Sequence, residues 1–144
     1  MKRNIRRRHQ PNIFYGYSIR TRIKTSMSPI QTRTILFLIG CIGTRLLFAY
    51  IAKIAKPQLL QYLGYIALVI SAGFLYIYFT GSRQTGPEVL GDRIWWNDLR
   101  PVHAFLYGLF AYYAISRHAN AWIYLFIDVV VGLVAFTMNR IGYI

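Results

Sequence analysis

Arg45 and Asp128 carry the most telling chemistry in this chain, because each interrupts an otherwise apolar run. A lone charge at the centre of a bilayer-spanning helix costs roughly 2.5–3.5 kcal/mol. Set against each other between two helices, guanidinium and carboxylate each remove much of the other's cost and fix which helices are neighbours. Buried ionisable groups in membranes also mark proton or ion paths, but opposite charges lock each other rather than stay poised. That favours a structural intramembrane ion pair. A conducting site, and an unpaired Arg45 snorkelling toward Lys53, are the alternatives.

The second constellation is the run from Gly91 to His103, GDRIWWNDLRPVH. Trp95 and Trp96 with Ile94 and Leu99 make an apolar edge, while Asp92, Arg93, Asn97, Asp98 and Arg100 are expected to stay wet. The pattern predicts a short interfacial helix within 88–100, then Pro101 in the first turn of the next helix and His103 one turn from Arg100. As chemistry, Asp98 or His103 would serve as a general base, and one His with two Asp would ligate a metal. There is, however, no nucleophile pair, no second His at ligand spacing and no Gly-rich phosphate loop. No catalytic residue, metal or cofactor is expected. Trp95, Trp96, Asn97, Asp98, Arg100, Pro101 and His103 are read as an interfacial anchor that also meets a partner.

A third feature is the leader. Residues 1–33 hold Lys2, Arg3, Arg6, Arg7, Arg8, Arg20, Arg22, Lys24 and Arg33 without one acid. Pro11 and Pro29 break long helices here, and NIFYGY, with Phe14, Tyr15 and Tyr17, is its one apolar cluster. The stretch is expected to be an extended basic arm that orders against something else. Anionic headgroups would contribute about 1 kcal/mol per cation. A protein shell would accept NIFYGY as an edge strand or in apolar pockets, with Arg6, Arg7 and Arg8 on acidic patches. Nucleic acid would neutralise the same charges with a steep salt dependence and is the lesser candidate. The composition also fits a mitochondrial presequence, whereas the apolar core begins too late for a secretory signal.

The elements that must position these residues follow from composition. The 144 residues are 56% hydrophobic and 17% aromatic, with 15% charged against the roughly 25% of soluble domains. Lys+Arg 17 against Asp+Glu 4 leaves a net charge of +13. That excludes a compact soluble enzyme, an acidic disordered region and, with one cysteine, a disulfide scaffold. An all-α integral membrane protein is expected, with spans at about 34–54, 59–79, 101–116 and 121–138 forming a bundle over 34–144. Two spans is the alternative count, because the third is short and the fourth contains Asp128. With four spans, thirteen Lys and Arg residues fall on the face of the arm, the 80–100 loop and the C-terminal tail. Three (Lys53, Lys56, Arg117) fall on the other, which predicts both termini on the cytosolic side.

Finer marks point the same way. Gly64, Ala67 and Ser71 share one face of the second span and Ala104, Gly108 and Ala111 one face of the third, where backbones would approach closely; Gly40 and Gly43 open the first. Trp95, Trp96, Trp122 and Tyr143 fall at headgroup level. LFAYIA at 47–52 recurs as LFAYYA at 109–114, a hint of a duplicated hairpin.

The run RIWWNDLRPVH at 93–103, followed by AFLYGLFAYY, resembles a motif in small multi-span membrane proteins of large nucleocytoplasmic DNA viruses. The similarity covers residues 88–116. It implies a place rather than an activity: the virion inner membrane beneath the capsid, where minor capsid-associated proteins tie bilayer to shell. The expected function is therefore a structural membrane protein anchoring a protein lattice through its arm, with self-association into a homo-oligomer open to it. The rival is an organellar inner-membrane subunit or small transporter, with residues 1–30 as import signal and Arg45, Asp128 and His103 as a polar path.

Overall fold

Three stretches, Gln31–Ile54, Pro57–Thr80 and Trp122–Arg140, form helices long and apolar enough to cross a membrane. The chain is an all-α, multi-pass membrane protein. The computed structural model describes residues 29–86 and 93–142, with side chains from 31 onward. Most of the basic arm, including Lys2 to Lys24 with Phe14, Tyr15 and Tyr17, lies outside the described residues, as do Glu88, Asp92 and Tyr143.

The elements are α1 (Pro29–Ile35), a π-helical stretch (Leu36–Gly43), α2 (Thr44–Ile54), α3 (Pro57–Thr80), a 3-10 helix (Trp95–Leu99), α4 (Arg100–Ile115) and α5 (Trp122–Arg140). The first three run on as one rod. It starts at Pro29, so residues 29–33 are helical and not part of an extended arm. Pro57 then opens α3, where its missing N–H costs nothing, and Gly81 closes it with φ +61 in the left-handed region. The α4–α5 turn is tighter. Arg117 takes φ 59, its N–H donates to Ala114 O and the His118 N–H to Tyr113 O, both at 2.9 Å. This is the 5→2 and 6→1 closure normally built on glycine. The α4 helix has 16 residues, about 24 Å at 1.5 Å each, and falls short of the other three.

Packing order across the bundle is α3, α4, α5, α2. The α3–α4 seam is the closest. Leu60, Gly64, Ala67 and Ser71 are its buried α3 residues, at the 4-3-4 spacing of a knobs-into-holes stripe. A Cβ on Gly64 would lie 3.0 Å from the Ile115 N and 3.1 Å from the Ala111 O, so any side chain here would press on the backbone of α4. Ser71 Oγ donates to Ala104 O at 2.7 Å, and a Cβ on Gly108 would stand 3.5 Å from that hydroxyl. The two small-residue faces therefore meet, as their spacing predicts. Lipid tails are as apolar as the side chains, so dispersion and interhelical hydrogen bonds hold such a seam. Gly40 and Gly43 differ: no atom lies within 4 Å of a Cβ on Gly40, and one on Gly43 would meet only Leu38 O, at 3.4 Å.

The π-helical stretch changes the phase of the first rod. Its buried residues Phe37 and Ile42 are five apart, matching i→i+5 bonding, whereas Ala49 and Ala52 in α2 return to α spacing. Thr44 Oγ1 donates back to Gly40 O at 2.6 Å where the two geometries join. Long π segments are rare and favour functional sites; this one delivers Arg45 to the bundle interior. The recurring LFAY segments also meet. Phe48 and Phe110 contact edge to face at 5.7 Å, and Ala49, Ala52, Ala111 and Ala114 are all buried.

Candidate functional site

Asp128 is the hub of the molecule. It lies on the buried stripe of α5 with Leu125, Val129, Gly132 and Ala135, and its side chain is 0% exposed. Arg45 Nη1 donates to its Oδ2 at 2.7 Å, from a side chain 12% exposed. The expected ion pair is present, and Arg45 does not snorkel toward Lys53.

His103 completes the cluster. Its Nδ1 stands 2.5 Å from Asp128 Oδ1 and 2.8 Å from Arg45 Nη1. Guanidinium is a donor only, so both contacts cannot be hydrogen bonds to one protonated nitrogen. The consistent assignment puts the proton on Nδ1, where it donates to the carboxylate. Arg45 and His103 then converge on one acceptor, and their mutual approach is a by-product. Arg45 also lies over the Phe74 ring at 5.6 Å, with the His103 ring 6.0 Å from the same phenyl. Helices α2, α3, α4 and α5 thus each contribute one side chain to a single buried knot.

Such an arrangement supplies the hydrogen bonds without which buried charge is prohibitive. The Ser71 hydroxyl donates instead to Ala104 O, across the α3–α4 seam. Asp98 is exposed on the 3-10 helix. Among the described residues no three His, Cys, Asp or Glu side chains group as metal ligands.

The predicted interfacial anchor is folded inward. Trp95 and Trp96 are half-buried against Phe37, at 6.0 and 5.6 Å between ring centroids, and Phe37 stacks on Phe136 at 4.5 Å. Arg100, expected to stay wet, is only 4% exposed. Its guanidinium donates to Asn97 Oδ1 at 2.5 Å and to Arg83 O at 3.2 and 3.3 Å, tying the loop to the mouth of α4. Pro101 sits in the first turn of α4 as its spacing predicts. Trp122, at the opposite end, meets Lys53 Nζ at 4.7 Å from the ring, a pairing suited to headgroup level.

Beside the knot lies a cavity of about 440 Å3, lined by residues of the first rod, α3, α4 and the loop that joins α3 to α4. Arg45, Arg83, Arg100 and His103 line it, with Trp96 at its loop side. Arg83, Cys41 and Phe74 were not singled out by sequence. Cys41 lies one helical turn before Arg45, the single local signal that could have found it. Phe74 sits in an unbroken apolar run and offers none.

No known protein family, curated protein or solved structure matches the chain.

Proposed function

We propose that this chain is a non-catalytic, four-span membrane anchor. Its cation-rich end, with both termini on the cytosolic side, ties a protein lattice such as a viral capsid to the bilayer beneath it. The observation that carries this reading is the segregation of charge between the two ends of the bundle. Arg140 Nη2 contacts Thr34 Oγ1, which brings the end of α5 beside the start of the first rod. Arg33 lies at that end, as do Arg83, Arg93 and Arg100 of the loop that packs on Phe37, and the arm leaves from there. Lys53, Lys56 and Arg117 occupy the other end.

Side-by-side packing supports α4 as a fourth span. Its first turn meets the end of α3 through Arg100 and Arg83, and its last turn meets Gly64 near the start of α3. The knot of Arg45, His103 and Asp128 holds the spans in register against a pull on the arm. A lattice protein and anionic headgroups are the partners of the arm, and exposed apolar faces leave room for a homo-oligomer. Crosslinking of the intact assembly, read by mass spectrometry, tests this: Lys2 and Lys24 should join to a lattice protein. Links confined to the chain itself would refute it.

One observation favours the small-transporter alternative: the cavity reaches Arg45 and His103. Proton or ion flux in proteoliposomes that stops with His103→Gln would establish it.

A further inference from the structure

A second recess, of about 170 Å3, lies between α2 and α5 at the end of the bundle opposite the arm. Leu46, Ala49, Tyr50 and Lys53 line it from one face of α2, and Trp122 and Phe126, one turn apart, from α5. Buried Ala49 has too little bulk to fill the space between its larger neighbours, while Leu46, Tyr50 and Phe126 are exposed. Both helices belong to stretches long and apolar enough to cross a membrane, so the recess opens directly on acyl chains. At its polar end the Lys53 ammonium lies over the Trp122 ring at 4.7 Å, which leaves its three N–H donors unused. Neither that ammonium, the Trp122 indole N–H nor the Tyr50 hydroxyl has an acceptor among the described residues.

No carboxylate of this chain can supply one. Its 4 acids are Glu88, Asp92, Asp98 and Asp128. Asp128 is committed to the knot, and Asp98 precedes α4, a helix length of about 24 Å from the Lys53 end. Glu88 and Asp92 fall between Thr85 and Arg93, which bridge to each other beside Asp98. Out and back, the residues between them reach about 14 Å at most. The C-terminus follows the far end of α5, and residues 1–33 hold no acid. The counter-charge to Lys53 therefore comes from outside the chain.

We propose that this recess seats one anionic phospholipid of the adjoining leaflet. Its phosphodiester, an acceptor only, takes hydrogen bonds from Lys53, Trp122 and Tyr50, and one acyl chain lies along Leu46, Ala49 and Phe126. The volume is below the roughly 300–1,000 Å3 of small-molecule sites, so it takes a stretch of chain while the rest stays in the bilayer. A choline or ethanolamine headgroup would set a further cation against Lys53 and Lys56, which selects for net negative charge. The inference needs α2 and α5 in a bilayer and no lattice contact, so its failure would leave the anchoring role untouched.

Trp122 reports on its own site. The full chain is placed in phosphatidylcholine vesicles, and the emission of Trp122 is taken as the difference between parent and Trp122→Phe. Phospholipids brominated on their acyl chains are then added as quenchers, at a salt concentration of about 0.15 M to screen distant charges. Brominated phosphatidylglycerol should quench saturably at low mole fraction, and brominated phosphatidylcholine only in proportion to its share of the bilayer. Lys53→Gln should raise the half-quenching fraction about fivefold, the factor for one cation at an anionic surface, and Lys53→Arg should restore it. Arg117→Gln removes a cation from the same end, but one that Gln61 holds against α3 at 2.9 Å, and should leave the fraction unchanged. Equal quenching by the two brominated lipids would reduce the recess to ordinary bilayer contact and overturn the proposal. Equal effects of Lys53→Gln and Arg117→Gln would mean diffuse attraction to this end, and overturn it too. Emission that neither lipid quenches would show that protein, such as a second copy of the chain, covers the recess, with the same consequence.

Discussion

Asp128→Leu removes the acceptor that Arg45 and His103 share, and the loss should be large. Both donors bond the carboxylate within 2.7 Å, and the carboxylate is wholly buried. Removing one partner of such a pair leaves an uncompensated buried charge and costs about 3–5 kcal/mol. Were the cluster no more than two ordinary interhelical hydrogen bonds, at roughly 0.6 kcal/mol each, the loss would be near 1 kcal/mol. Arg45→Leu should cost less, about 2–3 kcal/mol, because His103 still donates to the carboxylate. The double variant replaces both charges with apolar bulk and should lose little more than Asp128→Leu alone, well short of the sum of the singles, with a coupling energy of about 3 kcal/mol. Reversing the pair (Arg45→Asp with Asp128→Arg) should rescue only in part, since His103 would then point its proton at a guanidinium. The assay is unfolding by sodium dodecyl sulfate in mixed micelles, followed by helicity for each member of the cycle. A loss of about 1 kcal/mol or less for Asp128→Leu, or an additive double variant, would refute the knot as the bundle's lock.

Four further outcomes follow from the same geometry. Gly64→Ala should lower thermal stability by about 1–3 kcal/mol, since the new methyl meets backbone atoms of α4 at 3.0–3.1 Å. Gly73→Ala should raise it by up to about 1 kcal/mol, since no atom lies within 4 Å and the helix gains propensity; melting curves of the two variants compare them directly. In a Cys41→Ala background, Ser82→Cys and Asp98→Cys should label from one side of sealed vesicles and His118→Cys only from the other. Labelling of all three from one side would mean that α4 does not cross. Ser71→Ala should cost no more than about 1.7 kcal/mol in the same micelle assay, being a single interhelical hydrogen bond; a larger loss would show that Ser71 holds more than the Ala104 carbonyl.

Much of the architecture was legible because its causes are local. The 23 uncharged residues between Pro57 and Gly81 make one rod whatever surrounds them, and a polar turn at Arg117 must reverse the chain. Opposite charges in two apolar runs had to meet, because neither is tolerable alone in hydrocarbon, and the small faces of α3 and α4 announced their contact by spacing. The helix start at Pro29 was misplaced because the cation Arg33 looks like arm by composition, yet a cation in the first turns of a helix reaches headgroups without breaking it.

Sequence alone therefore determined that this is a membrane-embedded helical bundle, roughly where its rods end, and that Arg45 and Asp128 belong together. Tertiary structure decided that His103 shares the carboxylate, that Arg100 is buried, that both indoles turn inward, and that an arginine-lined cavity opens against α3. The physical reason is angular phase. The π-helical stretch resets which face of the first rod looks inward, and the loop sets the direction from which Trp96 and Arg100 arrive. Neither is a property of residue type or spacing along one element; both are settled where several helices compete for the same volume.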